Sequence, residues 1–304
     1  MKKRISLIGE VLVDLISDSD LIFTPKPGGS IFNTANTLSK LNVKTSFYSE
    51  IGDDFWGDYL LKKMDENGID HNFIKVTTDF KTPLAFAVID ENSNASYDFY
   101  KSKFDYSIQD NDLYNTGIFH FGSFFSVLDE NQKTIRQIIE NSKKQNFLIS
   151  YDPNYRKNFN KKLQKNLINN LENAHIIKIS TDDIENIFGI TDINEAFSTI
   201  NKFSPILTII TAGKEGSYLS FKNNKIIKVE SIKTDIVDTI GAGDNYSAGI
   251  LYYLYKKEVF DKNFLMSLNE DNIYEMLNCG TKMASISLGL KGADIPKEKL
   301  SDFQ

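Results

Sequence analysis

Cysteine is nearly absent from this chain. Cys279 is the only one in 304 residues, which excludes an intramolecular disulfide and suits a reducing, cytoplasmic setting. Histidine is almost as scarce. His71, His120 and His175 are scattered, without metal-ligand spacing, and each reads as structural. No block of basic residues occurs in a chain of net charge −6 and pI about 5.3, so no nucleic-acid partner is expected. No stretch approaches the ~18 uninterrupted apolar residues of a membrane helix. Lys2-Lys3-Arg4 ahead of an apolar run mimics a signal peptide, but Glu10 and Asp14 interrupt that run and no small-residue cleavage site follows. The expectation is a cytoplasmic protein that opens with a core strand. Also missing are an internal repeat, a low-complexity tract and an interdomain linker. The G-x-x-x-x-G-K-[ST] phosphate loop does not occur, and Tyr246 stands where a dinucleotide fingerprint would need its third small residue.

What the chain does have is a hydrophobic content of 41%, enough to bury a core, and one stretch with the composition of an anion site. Asp238-Thr239-Ile240-Gly241-Ala242-Gly243-Asp244 follows a strand-like run and opens a helical pattern carrying Ala248, Ile250, Leu251 and Leu254. Glycines ahead of a helix let the backbone turn tightly and aim N–H groups outward, with the helix dipole behind them. Asp244 adds a carboxylate at the mouth of that site. Phosphoryl transfer needs this pair of features: donors for the moving charge and a base beside the attacking hydroxyl. A Gly-rich turn whose aspartate merely caps its helix has the same spelling.

The rest of the chain supplies a rhythm. Ile5 to Ile8 is a short apolar run, as expected of a strand covered on both faces in a parallel sheet. Val11 to Ile16 continues as extended chain with Asp14 among apolar neighbours. Pro25-Lys26-Pro27-Gly28-Gly29 punctuates it. Ser30 is expected to cap a helix in which Phe32, Ala35, Leu38 and Leu41 recur at helical spacing, while Asn33 and Asn36 near its start suggest a need for side-chain amides. Ser46 to Ile51 reads as a strand and Gly52-Asp53-Asp54 as the turn into a helix that ends at Asn67, with Gly68 just beyond its end. Leu84–Asp90 and Ala95–Lys101 form a hairpin. From Ile118 onward strands and helices alternate, through Asn131–Lys144, Phe147–Tyr151, Lys161–Leu171, His175–Ile179 and Ile206–Thr211. That alternation predicts an α/β fold, a doubly wound, mainly parallel sheet with helices on both faces. Ligands of such sheets gather at the carboxyl ends of strands, which singles out Asp152, Asn154, Arg156, Lys178, Ser180, Asp183, Thr211 and Gly213.

The chain resembles the ribokinase-type (PfkB) carbohydrate kinases along almost its whole length. Residues 238–244 are similar to that family's C-terminal signature D-T-x-G-A-G-D. Gly28-Gly29-Ser30-Ile31-Phe32-Asn33-Thr34-Ala35 and Gly52-Asp53-Asp54-Phe55-Trp56-Gly57 echo its N-terminal signature. Asp152-Pro153-Asn154-Tyr155-Arg156 and Thr211-Ala212-Gly213-Lys214-Glu215-Gly216 fall between them in the expected order. The resemblance implies a single ribokinase-like domain with a small β-sheet lid built from about 11–27 and 84–103. It implies ATP and Mg²⁺ as cofactors, a possible monovalent cation, sugar and ATP as small-molecule partners, and a homodimer formed through the lid. It makes Asp244 the base and Gly241, Ala242 and Gly243 the anion hole. Asp14, Gly28, Gly29, Asn33, Tyr100 and Arg156 fall on the sugar side. Lys178, Thr211, Gly213 and Gly216 fall on the nucleotide side, with Asn278, Thr281 and Ser285 of the last long helix beside the adenine. One departure stands out: where many relatives carry N-x-x-E, here Ser180-Thr181-Asp182-Asp183 occurs, so Asp183, with Glu185 nearby, is the expected carboxylate for the magnesium and its waters.

Gly9-Glu10 with Leu12-Val13-Asp14, the Thr82-Pro83 hairpin with Phe99-Tyr100, and Phe119-His120-Phe121-Gly122-Ser123 resemble bacterial fructokinases. The expected reaction is therefore ATP-dependent phosphorylation of a primary hydroxyl, that of D-fructose to give fructose 6-phosphate. 2-Keto-3-deoxygluconate, ribose and nucleosides are the alternative substrates, and Lys101 with Arg156 would favour an acidic sugar if both face the pocket. A non-catalytic sugar- or nucleotide-sensing protein is the reading from another class. An NAD-dependent oxidoreductase fails on the missing fingerprint.

Overall fold

In the computed structural model the strand Arg4–Ile8 runs between two parallel neighbours, Thr45–Gly52 and Thr116–Gly122. Its two edges are therefore paired, and with helices packed on both faces of the sheet Ile5, Leu7 and Ile8 are all fully buried and the run is mainly apolar. The structure describes residues 3–17, 22–89, 95–100, 110–155, 161–222 and 226–303.

In chain order the elements are β1 (Arg4–Ile8), β2 (Leu12–Ser17), β3 (Phe23–Gly28), α1 (Ser30–Lys40), β4 (Thr45–Gly52), α2 (Phe55–Asn67), β5 (Ile74–Thr77), β6 (Leu84–Ile89) and β7 (Ala95–Tyr100). They continue with β8 (Thr116–Gly122), α3 (Gln132–Gln145), β9 (Leu148–Asp152), α4 (Gln164–Asn173), β10 (Ile176–Ser180), α5 (Thr181–Phe188), α6 (Ile193–Ile200) and β11 (Leu207–Thr211). The hairpin β12 (Ser217–Phe221) and β13 (Ile226–Val229) follows, then α7 (Ala242–Lys256), α8 (Lys262–Ser267) and α9 (Glu270–Leu288).

Among the described residues, nine strands form one sheet in the order β13-β12-β11-β10-β9-β8-β1-β4-β5. It is parallel from β11 to β5 and antiparallel at the β11–β12–β13 edge. Strand side chains alternate between two cores. Ile118 and Ile176 join one with α1, α7 and α9, while Phe119, Phe121, Ile177 and Ile179 join the other with α3, α4 and α6. Helices thus cover both faces, as the alternating pattern predicts. No helix among the described residues is long and apolar enough to cross a membrane.

The second sheet is small, with the order β3-β2-β6-β7. The expected hairpin is present as the antiparallel pair β6–β7; residues 90–94 and Lys101 lie outside the described residues. Period-two geometry sorts its two faces. Asp14 pairs with Lys26 on β3 and with Ala85 on β6. Val13 pairs with Pro27 and Leu84, and Leu84 pairs with Tyr100. Lys26 and Gly28 therefore share the Asp14 face, and Tyr100 belongs to the opposite one. That opposite face carries the Phe23–Phe86–Tyr100 edge-to-face ring series, with centroids 5.3 Å apart at each step.

One local expectation changes, and two strands were not anticipated. Ser30 does not cap α1: Gly29 (φ +115) occupies the N-cap position without a side-chain cap, and Ser30 is the first helical residue. The strands β5 and β12 have no clear sequence signature, being short, with Lys75 and Ser220 breaking their apolar runs. Gly68 ends α2 in the left-handed conformation, φ +70, as expected.

Candidate active site

The site is built where the first turns of α1 and α7 meet. Gly241 is the N-cap of α7 and has φ +77. A Cβ there would stand 2.2 Å from that of Ala293, so only glycine fits both the backbone angle and the space. The helix leaves its first N–H groups without intrahelical acceptors. The N–H of Ala242 reaches the carbonyl of Thr239 only at 3.4 Å. Asp238 secures the approach, its Oδ1 accepting from the N–H of Ile240 at 2.9 Å and its Oδ2 from the N–H of Gly292 at 2.8 Å.

Asp244 lies one turn into α7 and is 4% exposed. Its Oδ1 accepts from the Ser30 hydroxyl at 2.7 Å and the Asn154 amide at 3.1 Å, and its Oδ2 from the Asn33 amide at 2.8 Å. Asn154 also donates to Ser30 at 2.6 Å and holds φ +39, an unusual angle for a residue with a side chain. Thr34 donates to the Asp244 carbonyl at 3.0 Å. Burial pushes the Asp244 carboxyl up; the Asn33 and Ser30 bonds oppose this without cancelling it, and its pKa is raised.

Beneath this turn lies a buried ionic cluster. Lys178 donates to Asp152 Oδ2 at 2.9 Å, an oxygen that also accepts from Ser247 at 3.1 Å. The ammonium of Lys178 is 3.1 Å from where a Cβ at Gly243 would stand, so it underlies the glycine turn directly. Burial alone would lower the Lys178 pKa, but Asp152 and Asp183 outweigh it and hold the ammonium charged. Asp152 Oδ1 is buried without a hydrogen-bond partner. Farther along the same sheet face, His120 bonds Ser150 through Nδ1 at 3.0 Å, and burial pushes its pKa down to about 4.

Most of the sequence-predicted residues converge here. Asp244, Asn33, Gly241, Ala242, Gly243 and Lys178 form the centre. Asp14 adjoins it, because its Oδ2 fills the space where Gly28 would carry a Cβ, and Gly28-Gly29 lead into Ser30. A Cβ at Gly29 would meet the Glu10 carbonyl at 2.4 Å. Thr211 ends β11 opposite Ser180 of β10, at the same sheet edge as Asp152. Gly213 (φ +52) borders open space, while Gly216 (φ +92) packs against the Val229 carbonyl and shapes the β11–β12 turn. On α9, Asn278 is exposed, Thr281 is buried toward Tyr246, and Ser285 donates to the Lys282 carbonyl.

Three expectations stand apart. Tyr100 lies on the face of the small sheet away from Asp14, 62% exposed, because its β6 partner Leu84 is one residue out of phase with Ala85. Arg156 lies outside the described residues. Asp183 serves a capping box at α5, its Oδ2 accepting from the N–H of Ser180 at 3.2 Å and the Ser180 hydroxyl at 2.7 Å. No group of three or more His, Cys, Asp or Glu side chains among the described residues is arranged to hold a metal ion by itself.

Sequence reasoning placed Asn154 at this sheet edge without a role and did not assign Ser30 or Asn245 to the site. Asn245 is fully buried, accepting from Thr37 at 2.5 Å and donating to Ser287 and to the Ala293 carbonyl, each at 2.9 Å. An asparagine in the helix turn after Asp244 was the available signal, since an amide in a buried helix must find partners.

Comparison with known proteins agrees with this geometry. The model of the pfkB family carbohydrate kinases matches residues 2–300. An ATP-dependent 6-phosphofructokinase of Thermoanaerobacterium thermosaccharolyticum is 31% identical over 86% of this chain and 84% of its own length. A fructokinase of Rhizobium leguminosarum bv. trifolii is 30% identical over 86% of this chain and 83% of its own. The crystal structure of a fructokinase with bound ATP from Xylella fastidiosa superimposes with a TM-score of 0.84 at 21% identity, covering 96% of this chain and 94% of that one. The chain belongs to the pfkB family of carbohydrate kinases and is a sugar phosphotransferase of ribokinase-like fold.

Proposed function

We propose that this kinase transfers the γ-phosphoryl group of ATP to a primary hydroxyl of D-fructose, giving fructose 6-phosphate. The observation that carries the reading is the placement of Asp244. Its carboxylate stands on the first turn of α7, immediately after the glycines whose N–H groups point out of the helix end, and is held by Asn33, Ser30 and Asn154.

Asp14 and Asn33, with the backbone at Gly28-Gly29, bind and orient the sugar. Asp244 takes the proton of the attacking hydroxyl as that oxygen bonds to phosphorus. The N–H groups at Gly243 and its neighbours, backed by Lys178, stabilise the charge gathering on the transferred group. Thr211, Gly213, Gly216 and the α9 stripe of Asn278, Thr281 and Ser285 border the nucleotide. Asp152, whose Oδ1 is buried without a hydrogen-bond partner, would with Asp183 hold the waters of a magnesium ion brought with the nucleotide, and that ion would neutralise phosphate charge. A cytoplasmic homodimer joined through the small sheet, and activation by a monovalent cation, belong to the same reading.

One observation favours a second substrate: the 31% identical relative is a 6-phosphofructokinase. ATP-to-ADP turnover over fructose, fructose 6-phosphate, ribose, 2-keto-3-deoxygluconate and adenosine tests both readings. Selective turnover of fructose supports the first, and selective turnover of fructose 6-phosphate replaces it with the second. Sugar binding without any turnover would instead favour a sensing protein.

A further inference from the structure

The loop between α9 and the C-terminal segment seats the glycine turn from behind. Ala293 fills the space beside Gly241. The N–H of Gly292 is held by Asp238, the carbonyl of Ala293 by Asn245, and the carboxylate of Asp294 by Asn36 and Lys40. These anchors come from α1, α7 and the stretch leading into α7, all of which belong to the main body.

Lys26 is an anchor of different origin. It lies on β3 of the small sheet, in register with Asp14 and on the same face. Its ammonium donates to the carbonyl of Lys291 at 3.0 Å. That ammonium is also 3.2 Å from where a Cβ at Gly292 (φ +84) would stand. The small sheet that presents Asp14 is thus tied, through one charge-assisted bond, to the loop that sets the anion hole.

We propose that Lys26 is a positioning residue that couples sugar binding at the small sheet to assembly of the anion hole. The inference rests on the sugar-kinase reading of this site. Sugar held by Asp14 fixes the strand pair β2–β3, and Lys26 passes that order to the Lys291 carbonyl. From there it reaches Asp238 through Gly292 and Gly241 through Ala293. A coupling of this kind is reciprocal: sugar tightens nucleotide binding by the factor by which nucleotide tightens sugar binding.

The test measures binding of a magnesium complex of a non-hydrolysable ATP analogue by calorimetry, with and without a saturating concentration of the sugar that the wild type phosphorylates. The wild type should bind the analogue at least ~5-fold more tightly with sugar present. In Lys26→Met that factor should fall to about 1, with kcat down roughly 10-fold and the affinity for the analogue without sugar little changed. Lys26→Arg should recover most of the factor, because a guanidinium can still donate to the carbonyl. Lys26→Thr, a polar strand residue whose short hydroxyl cannot reach the Lys291 carbonyl, carries the same expectation should Lys26→Met not fold. A wild-type factor near 1, or a variant lacking the donor that keeps the wild-type factor, overturns the inference. A wild type that binds and phosphorylates no sugar overturns the functional reading instead, before any variant is made.

Discussion

The side-chain amide of Asn33 donates to the carboxylate of Asp244 at 2.8 Å across 211 residues of sequence. The bond joins the opening turns of α1 and α7, and it bears on the basicity of that carboxylate. Desolvation raises the pKa of Asp244, while Asn33 and Ser30 favour its ionised form. The result is a carboxylate more basic than usual yet still able to ionise, as a general base for a sugar hydroxyl requires.

Replacing Asp244 should separate binding from chemistry. Asp244→Ala is expected to lower kcat by ~10²-fold or more while the KM values for sugar and ATP change little. Steady-state kinetics checks this, and turnover within a few-fold of wild type would remove Asp244 from the role of base.

Asn33→Ala should raise the KM for sugar and alter the pH profile as well. The Asn33 bond lowers the Asp244 pKa, so its loss raises that pKa further. The base then stays protonated to higher pH, and the acid limb of kcat/KM moves upward. An unmoved limb would mean that some other group sets it.

Gly241→Ala should damage both fold and activity. The new Cβ would have to adopt φ +77 and overlap Ala293. A loss of stability on the order of 1–3 kcal/mol follows from the strain and the displaced loop, with kcat falling in parallel. Thermal unfolding and turnover measured together would reveal it, and a wild-type Tm would contradict it.

Two histidines, His120 buried and His175 half-buried, predict an acid-sensitive fold. Burial lowers His120 to about 4 and His175 to about 3, from the ordinary value of 6.5. His175 Nδ1 accepts from the N–H of Ile149 at 2.8 Å, a bond only the neutral ring can make there. The unfolded chain binds these protons first, so each histidine's contribution is complete above pH 6.5 and is lost as pH falls toward the folded-state value. Urea unfolding at pH 7.5 and pH 5 should show stability lower by roughly 2 kcal/mol or more at the acid end. His175→Asn should flatten that slope.

The main-body strands were readable as apolar runs because parallel strands covered on both faces admit few polar residues. β5 and β12 were not, because Lys75 and Ser220 interrupt short segments that lie at or near a sheet edge. Asp183 shows a different kind of ambiguity. Ser180-Thr181-Asp182-Asp183 spells a capping box as readily as a metal motif, and the local hydrogen bonds form whether or not a metal is bound. Ser30 is the converse case. Read as a cap, it yields that position to Gly29 because a Cβ there would strike the Glu10 carbonyl, and its hydroxyl is released to Asp244.

The sequence by itself determined the winding of the sheet and the glycine turn before α7, because each depends on local periodicity or on backbone freedom that only particular residues possess. Which side chains surround the Asp244 carboxylate was decided by tertiary structure. Ser30, Asn33 and Asn154 reach one carboxylate only because α1, the end of β9 and α7 converge at a single sheet edge. The side of the small sheet that Lys26 and Tyr100 occupy was fixed in the same way, by strand register. A one-residue difference in pairing sends one side chain toward the site and the other away from it.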